Sequence, residues 1–155
     1  MKATFSITPE SERVILELAK SSKRWPQIAD RCVKRVAEKC AEDVKKRIES
    51  QAFPNVRITD AWLARKMKEG LDTRTLMATR RYYKSIRAER SSPRLAEWGV
   101  VCNDLSLRDW LENGTRRGNP PRPHWGPVLI DYQLNFSRHF AEEVVKEVFA
   151  GVVKP

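Results

Sequence analysis

The 155 residues suit a single domain over residues 1–155, because a chain of about 150 residues can bury roughly 68–70% of its unfolded surface. The 30 Lys and Arg against 20 Asp and Glu give a formal net charge of +10, which predicts an anionic partner, DNA or an acidic protein, or else only a well-solvated basic surface. No hydrophobic run is long enough to cross a membrane and no signal peptide is evident, so we expect a cytoplasmic protein without a membrane partner.

The first predicted elements are a strand and a helix. From Ala3 to Ile7, apolar residues alternate with polar ones, the pattern of a half-buried strand. Thr8 and Pro9 then supply a helix N-cap and a first-turn proline. We expect this helix to end near Ser21–Ser22, because a proline follows closely.

The longest predicted helix runs from Pro26 to about Gln51. Its apolar residues recur at helical spacing, with charged residues on the opposite side. The apolar positions are Ile28, Cys32, Val33, Val36, Ala37, Cys40, Val44 and Ile48. This face is wider than one packing seam, so it belongs either to a broad internal core or to a core shared with a neighbouring subunit.

The three cysteines, Cys32, Cys40 and Cys102, are odd in number. They show neither C-x-x-C spacing nor histidines at metal-ligand spacing. We therefore expect buried free thiols, with no disulfide framework, no metal and no cofactor.

Two shorter helices are predicted next. Thr59 and Asp60 cap the first, which stops at Gly70. Asp72 or Thr73 caps the second, whose basic residues are interleaved with two tyrosines, a pattern typical of nucleic-acid-binding surfaces. The residues that would face DNA are Arg80, Arg81, Lys84 and Arg87. The alternative is that the tyrosines pack inward while these cations are simply solvated.

A hairpin is predicted from Ile86 to Cys102. Ser91-Ser92-Pro93-Arg94 has the composition of a turn, and the residues from Ala96 to Cys102 alternate as a strand with one buried face. Residues 86–90 are the expected partner strand.

The stretch from Asp109 to Leu129 is rich in glycine and proline. Gly114 and Gly118 predict two sharp turns, because glycine takes positive φ without steric cost. The prolines that follow predict a stiff, extended arm, and Pro127 is expected in the first turn of the next helix.

That last helix is predicted as one long amphipathic element ending at Gly151. The predicted fold class is therefore α+β, with two long amphipathic helices packed on a small, mostly antiparallel sheet and a Pro-rich extended arm.

Two blocks of residues resemble a known family. Glu112-Asn113-Gly114-Thr115, followed by Arg122-Pro123-His124-Trp125-Gly126-Pro127-Val128, is similar to the E-x-G-T … R-P-F-L-x-P-A signature of the tail-completion or neck proteins of long-tailed bacteriophages, which include the minor tail protein Z type. Thr79-Arg80-Arg81-Tyr82-Tyr83-Lys84-Ser85-Ile86 resembles the family's T-G-x-L-x-x-S-I, with Arg80 in the glycine place and Tyr82 in the leucine place.

The resemblance implies a structural virion protein that caps the head-proximal end of the tail and joins it to the head, without catalytic residues. It implies a hexameric ring, assembled in the host cytoplasm, that contacts the tail tube or tail terminator and the head-completion or connector proteins. Genomic DNA in the lumen is a further possible contact. The expected subunit and partner interface consists of Glu112, Gly114, Thr115, Arg116, Arg117, Arg122, Pro123, His124, Trp125 and Pro127.

Arg122 is expected to anchor the arm. Held between two prolines, its guanidinium is placed for a bidentate contact with a carboxylate or with exposed carbonyls. Glu112 is the first candidate, and an acidic residue of a neighbouring subunit is the second.

Two other functions compete with this one. A small basic nucleic-acid-binding protein is the alternative, on the evidence of the charge and the Arg80–Arg90 run. A toxin-like ribonuclease would use His124, His139, Asp109, Glu112 and Arg122, but no nucleophile and base fall within a recognised catalytic motif.

Overall fold

The computed structural model describes residues 20, 22–51, 59–75, 77, 79–92, 97–116, 118 and 120–149. These residues form α1 (Trp25–Glu49), α2 (Asp60–Lys68), α3 (Arg81–Ser85), β1 (Arg87–Arg90), β2 (Trp98–Val101), α4 (Leu105–Asn113), α5 (Gly126–Leu134) and α6 (Phe136–Phe149). The fold is mostly helical with a small antiparallel sheet, which agrees in general terms with the predicted α+β class. None of the helices in these ranges is long and apolar enough to cross a membrane.

Helix α1 lies at the centre of the fold and confirms the longest predicted helix. It begins at Trp25 with Pro26 in its first turn, where the missing N–H costs nothing. Every predicted stripe residue except Val33 is buried. The stripe packs against both strands, α5 and α6, so a single helix face supports the whole described core. Fully burying a side chain such as Val44 or Ile48 contributes about 1.5–3 kcal/mol.

Two carboxylates join α6 to α1. Glu147 pairs with Arg31 and Arg35 at 2.6 Å each, and Glu143 pairs with Lys39. Burial acts to raise the pKa of both carboxyl groups, but hydrogen bonds from these cations outweigh it and lower both pKa values. The two carboxylates therefore fix α6 along the polar edge of the α1 stripe.

Strands β1 and β2 confirm the predicted hairpin. They pair antiparallel, with Arg87 opposite Val101 and Arg90 opposite Trp98. Ser91 N–H closes the turn on Glu97 O at 2.8 Å, while residues 93–96 lie outside the described ranges. The three cysteines are buried, as predicted, and each has a free thiol. In the described ranges, no three His, Cys, Asp or Glu residues are grouped so that they could hold a metal ion.

The predicted helix from Asp72 through Tyr83 is wrong. The described residues from 71 to 80 form loops and turns, and only Arg81–Ser85 is helical. Asp72 accepts hydrogen bonds from the backbone and side chain of Arg74, which closes a local turn instead of a helix. Arg80 then adopts a left-handed φ of 57°, which interrupts any helix that reaches it. The preceding helix, by contrast, has the predicted bounds, and Gly70 follows it at φ 64°.

The prediction of a single long terminal helix is also wrong, because Asn135 separates this segment into α5 and α6. Asn135 has φ −109° and ψ 17°, and its side chain donates to Asp131 Oδ1 at 2.7 Å. Asparagine favours such local bonds over the helix interior. The two helices consequently differ in character, since α5 has no buried residue whereas α6 buries Glu143 and Val148.

The predictions for the N-terminus fall almost entirely outside the described residues. The strand from Ala3 to Ile7 and the helix start at Pro9 lie there. Lys20, Ser22 and Lys23 are helical, and Arg24 is a turn, which places the end of that helix close to the predicted one.

Candidate functional site

Helix α4 carries Glu112, the residue that contacts the predicted arm. It starts where Asp104 caps it, with Oδ1 accepting from Leu107 N–H at 2.8 Å, and it buries Leu111. The sequence prediction missed this helix. The signal was present as a capping aspartate followed by leucines four residues apart, at 107 and 111. The helix ends at Gly114, so Glu112 projects from its last turn towards the following arm.

The side-chain carboxylate of Glu112 binds the backbone of the arm. Oε1 accepts hydrogen bonds from His124 N–H and Trp125 N–H, each at 2.8 Å, and Oε2 accepts from Gly126 N–H at 3.0 Å. These are the N–H groups that open α5, where a helix lacks internal partners and favours a negative charge. A side chain from one helix thereby caps the next, across 14 residues of sequence.

The electrostatics of Glu112 follow from these contacts. Burial acts to raise the pKa of this carboxyl group. The hydrogen bonds from His124 and from the backbone N–H groups of Trp125, His124 and Gly126 outweigh burial and lower the pKa to about 2. The carboxyl group of Glu112 is therefore ionised at neutral pH.

The glycines and Pro127 match their predicted roles. A Cβ at Gly126 would lie 3.1 Å from Glu112 Oε2, so a side chain there would press on the carboxylate. Gly114 and Gly118 have φ of 77° and 84°, as the two predicted turns require. Pro127 lies in the first turn of α5, as predicted.

A buried hydrogen-bonded chain lies beneath the carboxylate. Trp125 Nε1–H donates to Tyr82 Oη at 2.8 Å, and Tyr82 Oη lies 2.7 Å from His124 Nε2. Arg122 O can only accept, so His124 Nδ1–H donates to it at 2.9 Å; the same nitrogen lies 3.1 Å from Glu112 Oε1. Every polar atom of this chain is used internally, which makes it a positioning device for the arm.

The predicted pair between Arg122 and Glu112 is wrong. Glu112 is occupied by backbone N–H groups, and Arg122 Nε is buried with no hydrogen-bond partner among the described residues. The backbone N–H of Arg122 binds Leu111 O at 2.6 Å, which holds the chain in place while Nε has no partner in the described part of the chain. The predicted alternative, an acidic residue of a neighbouring subunit, remains a prediction.

A buried cation, Lys66, interacts electrostatically with the half-buried Arg122. Lys66 is only 2% exposed, and its Nζ donates to Arg74 O at 2.8 Å and Thr73 O at 3.4 Å. Burial lowers the pKa of Lys66; Asp72 opposes this effect and Arg122 adds to it. An anionic group placed beside Arg122 would therefore stabilise two cations.

The predicted interface residues divide into two groups. Glu112, His124 and Trp125 are committed to internal contacts, and Pro123 O accepts from Arg47 Nε at 3.1 Å. The exposed members in the described ranges are Arg116 and Pro127; Gly114, Thr115 and Arg122 are half-buried, and Arg117 lies outside those ranges.

The predicted DNA-facing residues also fall into two groups, those paired with a carboxylate and those that are not. Arg80 pairs with Asp72 at 3.1 Å, and Arg87 with Glu89 at 2.7 Å. Arg81 and Lys84 are exposed, and no carboxylate among the described residues pairs with either. They line an open groove of about 710 Å³, whose other lining residues are Thr79, Tyr82, Ser85, Asn103, Asp104 and Leu107. Both tyrosine rings pack against the core cluster, and their hydroxyls bond to the buried His124 and to the exposed Glu49.

The residues of the ribonuclease interpretation are brought together only in part. Glu112, Arg122 and His124 are in contact, whereas His139 and Asp109 have other partners. His139 stacks on Tyr132 with centroids 4.3 Å apart, and Asp109 binds Arg108 at 2.7 Å. His124 is fully buried, so its ring does not reach solvent. General acid–base catalysis requires the groups to reach one reacting centre, and neither His139 nor Asp109 contacts the buried group of Glu112, Arg122 and His124 in the described part of the chain.

Comparison with known proteins provides no relative from which a function can be carried over. No known protein family, no curated protein and no solved structure matches this chain. The geometry around Glu112, and the resemblance of these residues to a family signature, are therefore the grounds for a functional proposal.

Proposed function

We propose that the protein is a structural virion protein of the bacteriophage tail-completion or neck type, which caps the head-proximal end of the tail and joins it to the head. One observation carries the proposal: the two halves of the resembling motif meet in space. Glu112, from the first half, holds the backbone of His124 to Gly126, from the second. Such a motif fixes the path of a surface segment, which suits a protein that works by shape complementarity.

Arg80 adds independent support. It stands where the family's second motif has glycine, and it adopts φ 57°, a conformation that glycine takes without steric cost. Arg80 therefore differs from the family motif in residue type, but its backbone has the positive φ that glycine favours.

The proposed assembly is a ring in which the Pro-rich arm, Gly114 to Pro127, contacts a neighbouring subunit. Cyclic symmetry needs two different patches on each subunit, and proline stiffening lowers the entropy lost when the arm docks. Arg122, whose Nε has no partner among the described residues, supplies a charge for that contact. Two long helical layers, α1 on one side and α5 with α6 on the other, would carry the arm, with tail tube or terminator and head-connector proteins as partners in the virion.

Replacing Arg122 with Ala is expected to leave the isolated chain folded, within about 1 kcal/mol of the wild type, because the lost donor has no internal partner. The same change should abolish joining of tails to heads, since the proposed carboxylate of the neighbour loses its counter-charge. Urea unfolding and an in vitro head–tail joining assay measure the two effects.

Two further variants complete that test. Pro127→Ala should do less harm to joining, and Arg138→Ala, on the exposed face of α6, should have no effect. If Arg122→Ala unfolds the isolated chain, its contact is internal and the assembly role is wrong.

The location of the chain tests the proposal as a whole. Gold-labelled antibody against the chain should mark the neck of purified virions, and averaged images of the neck should show the chain with the symmetry of a ring. A chain that stays monomeric when mixed with tail tubes and head connectors, and that is absent from purified virions, would refute the proposal.

DNA contact is the second candidate function, favoured by the unpaired Arg81 and Lys84 on their open groove. The double variant Arg81→Ala/Lys84→Ala should make the log–log salt dependence of duplex binding shallower by about 1.8, since each neutralised phosphate contributes about 0.9. The control is Lys68→Ala/Arg138→Ala, which removes the same charge from α2 and α6. Equal slopes for the two double variants would show that the groove is not the DNA-binding surface.

A further inference from the structure

The end of α1 holds a loop and the Pro-rich arm side by side. Arg47, in the last turn of α1, donates from Nε to Pro123 O at 3.1 Å. Gln51, two residues beyond the helix, binds the backbone of Thr75, since it accepts from the N–H at 2.7 Å and donates to the carbonyl at 3.1 Å. The loop of residues 71–75 and the arm are therefore fixed at neighbouring positions on α1.

Two cations lie where this loop adjoins the arm. Lys66, from α2, is only 2% exposed, and its Nζ donates to Arg74 O at 2.8 Å and to Thr73 O at 3.4 Å. Arg122 directly precedes Pro123 on the arm and is half-buried. The two charges act on each other, because Arg122 contributes to the lowered pKa of Lys66. The same place in the fold thus holds two positive charges.

Neither cation has all its donors paired in the described part of the chain. An ammonium group has three N–H donors, and Lys66 uses two of them there. Arg122 Nε is buried and has no partner there. Burial lowers the pKa of Arg122, and no described carboxylate opposes that effect. Asp72 does act on Lys66, but it is already paired with Arg74 and Arg80. The described residues therefore leave the charge of Arg122 without an anion.

We propose that Lys66 and Arg122 form a binding site for one dianionic phosphate group, either inorganic phosphate or a phosphate monoester such as that of a nucleotide. A phosphate monoester carries about 1.5 to 2 negative charges at pH 7, which balances two cations, whereas a carboxylate balances one. The planar guanidinium of Arg122 would pair with two of the oxygens, and the ammonium of Lys66 would contact a third as a compact charge.

The two side chains have different roles in this site. Lys66 Nζ is held by two carbonyl groups, so its position is fixed before the ligand arrives. Arg122 Nε gives up no hydrogen bond when its side chain turns, and a buried donor without an acceptor is unfavourable. Arg122 is therefore expected to turn towards a phosphate that Lys66 positions.

The site overlaps the contact of the proposed ring. In that contact Arg122 meets a carboxylate of the neighbouring subunit, so phosphate bound to Arg122 and that carboxylate exclude each other. The regulatory consequence, weaker assembly of the ring at high phosphate concentration, rests on the proposed function. The phosphate site itself does not, and it can be tested on the isolated full chain.

Isothermal titration calorimetry of the full chain with sodium phosphate at about pH 8 tests the site, with the ionic strength held constant by sodium chloride. We expect saturable binding of one phosphate per chain. Arg122→Gln and Lys66→Met each remove one charge and should weaken this binding at least tenfold. The matched controls are Arg116→Gln, exposed on the same arm, and Lys68→Met, exposed on the same helix, which should stay within twofold of the wild type. Circular dichroism checks that each variant is folded. Equal binding by all four variants, or the absence of saturable binding, overturns the proposal.

Nitrogen NMR of Lys66 Nζ in the wild-type chain gives a readout that needs no substitution of this buried lysine. Burial lowers the pKa of Lys66, whereas a bound anion stabilises the ammonium and raises that pKa. The titration of Lys66 should therefore move to higher pH when phosphate is added, and Arg122→Gln should reduce this phosphate-dependent change. A titration that phosphate leaves unaltered contradicts the proposal.

Three further ligands define the chemistry of the site. Sulfate, a tetrahedral dianion, should bind within tenfold of phosphate, whereas acetate, a carboxylate with one charge, should bind at least tenfold more weakly. A nucleoside monophosphate that displaces inorganic phosphate would show that the site accepts monoesters, and one that does not would restrict it to free phosphate; both results support a phosphate site. Acetate binding as tight as that of phosphate overturns it, because the site would then be one for carboxylates.

The outcomes separate this inference from the proposed function. A chain that binds phosphate through Lys66 and Arg122 but is missing from virions refutes the proposed function alone. A chain found at the neck that shows no saturable binding of phosphate refutes the phosphate site alone.

Discussion

Replacing Glu112 with Gln is expected to lower the free energy of unfolding by about 2–3 kcal/mol at pH 7. The folded-state pKa of about 2 lies well below the ordinary value of 4.5, a difference that corresponds to about 3 kcal/mol of stabilisation by the ionised carboxylate. Glutamine keeps the size of the side chain and one acceptor oxygen. It loses the charge and the second acceptor, so Gly126 N–H or the pair from His124 and Trp125 is left without a partner.

The same contact predicts a pH dependence. Because the pKa of Glu112 is lower in the folded state, its contribution is complete above about pH 4.5 and is lost as the pH falls towards 2. Urea unfolding at pH 7, 4 and 3 should therefore show the difference between wild type and Glu112→Gln shrinking as the pH falls.

The control is Glu142→Gln, an exposed glutamate on α6, which should stay within about 0.5 kcal/mol of the wild type. A wild-type stability for Glu112→Gln at pH 7 would mean that the carboxylate does not anchor the arm.

Trp125→Ala is expected to have the largest effect of any single substitution at the site, about 3–5 kcal/mol. Trp125 is 2% exposed and joins the core cluster that includes Val44, Ile48 and Ile86. Its loss leaves a cavity beneath α5 and deprives Tyr82 Oη of its donor. Thermal or urea unfolding measures the loss, and Trp125→Phe separates the two contributions by keeping most of the ring while removing the donor.

Trp110→Ala is the matched control. Trp110 is 58% exposed on α4, so its removal should cost less than about 1 kcal/mol of folding stability. Equal losses for the two tryptophans would show that Trp125 is not part of the packed core.

The long helix, the hairpin, the glycine turns and the place of Pro127 could all be predicted from the sequence. Each depends on periodicity or on local backbone preference, which a sequence displays directly. The prediction of a helix from Asp72 was wrong because the side chain of Asp72 forms a turn with Arg74. The prediction of one terminal helix was wrong because the side chain of Asn135 bonds locally to Asp131.

The site itself was predicted only in part. The sequence identified Glu112 and the arm as partners, but it paired the wrong groups. Arg122 is the obvious ionic partner for a carboxylate, whereas the backbone N–H groups of three successive residues carry no sequence signal. The choice between them depends on the angle at which α4 meets α5, which is a property of tertiary packing.

The ion pairs between α1 and α6 also have a kinetic consequence. Arg31 and Glu147 are 116 residues apart, whereas Glu112 and Gly126 are separated by only 14. The arm can therefore close soon after its residues are synthesised, because short loops lose little entropy on closure. The amino-terminal part of the α1 stripe, at Ile28 and Cys32, must wait for α6, roughly 6 to 23 s at translation rates of 5–20 residues per second. During synthesis α1 is thus the segment most exposed to aggregation and to chaperones, and its solubility on the ribosome depends on how quickly residues 136–149 follow it.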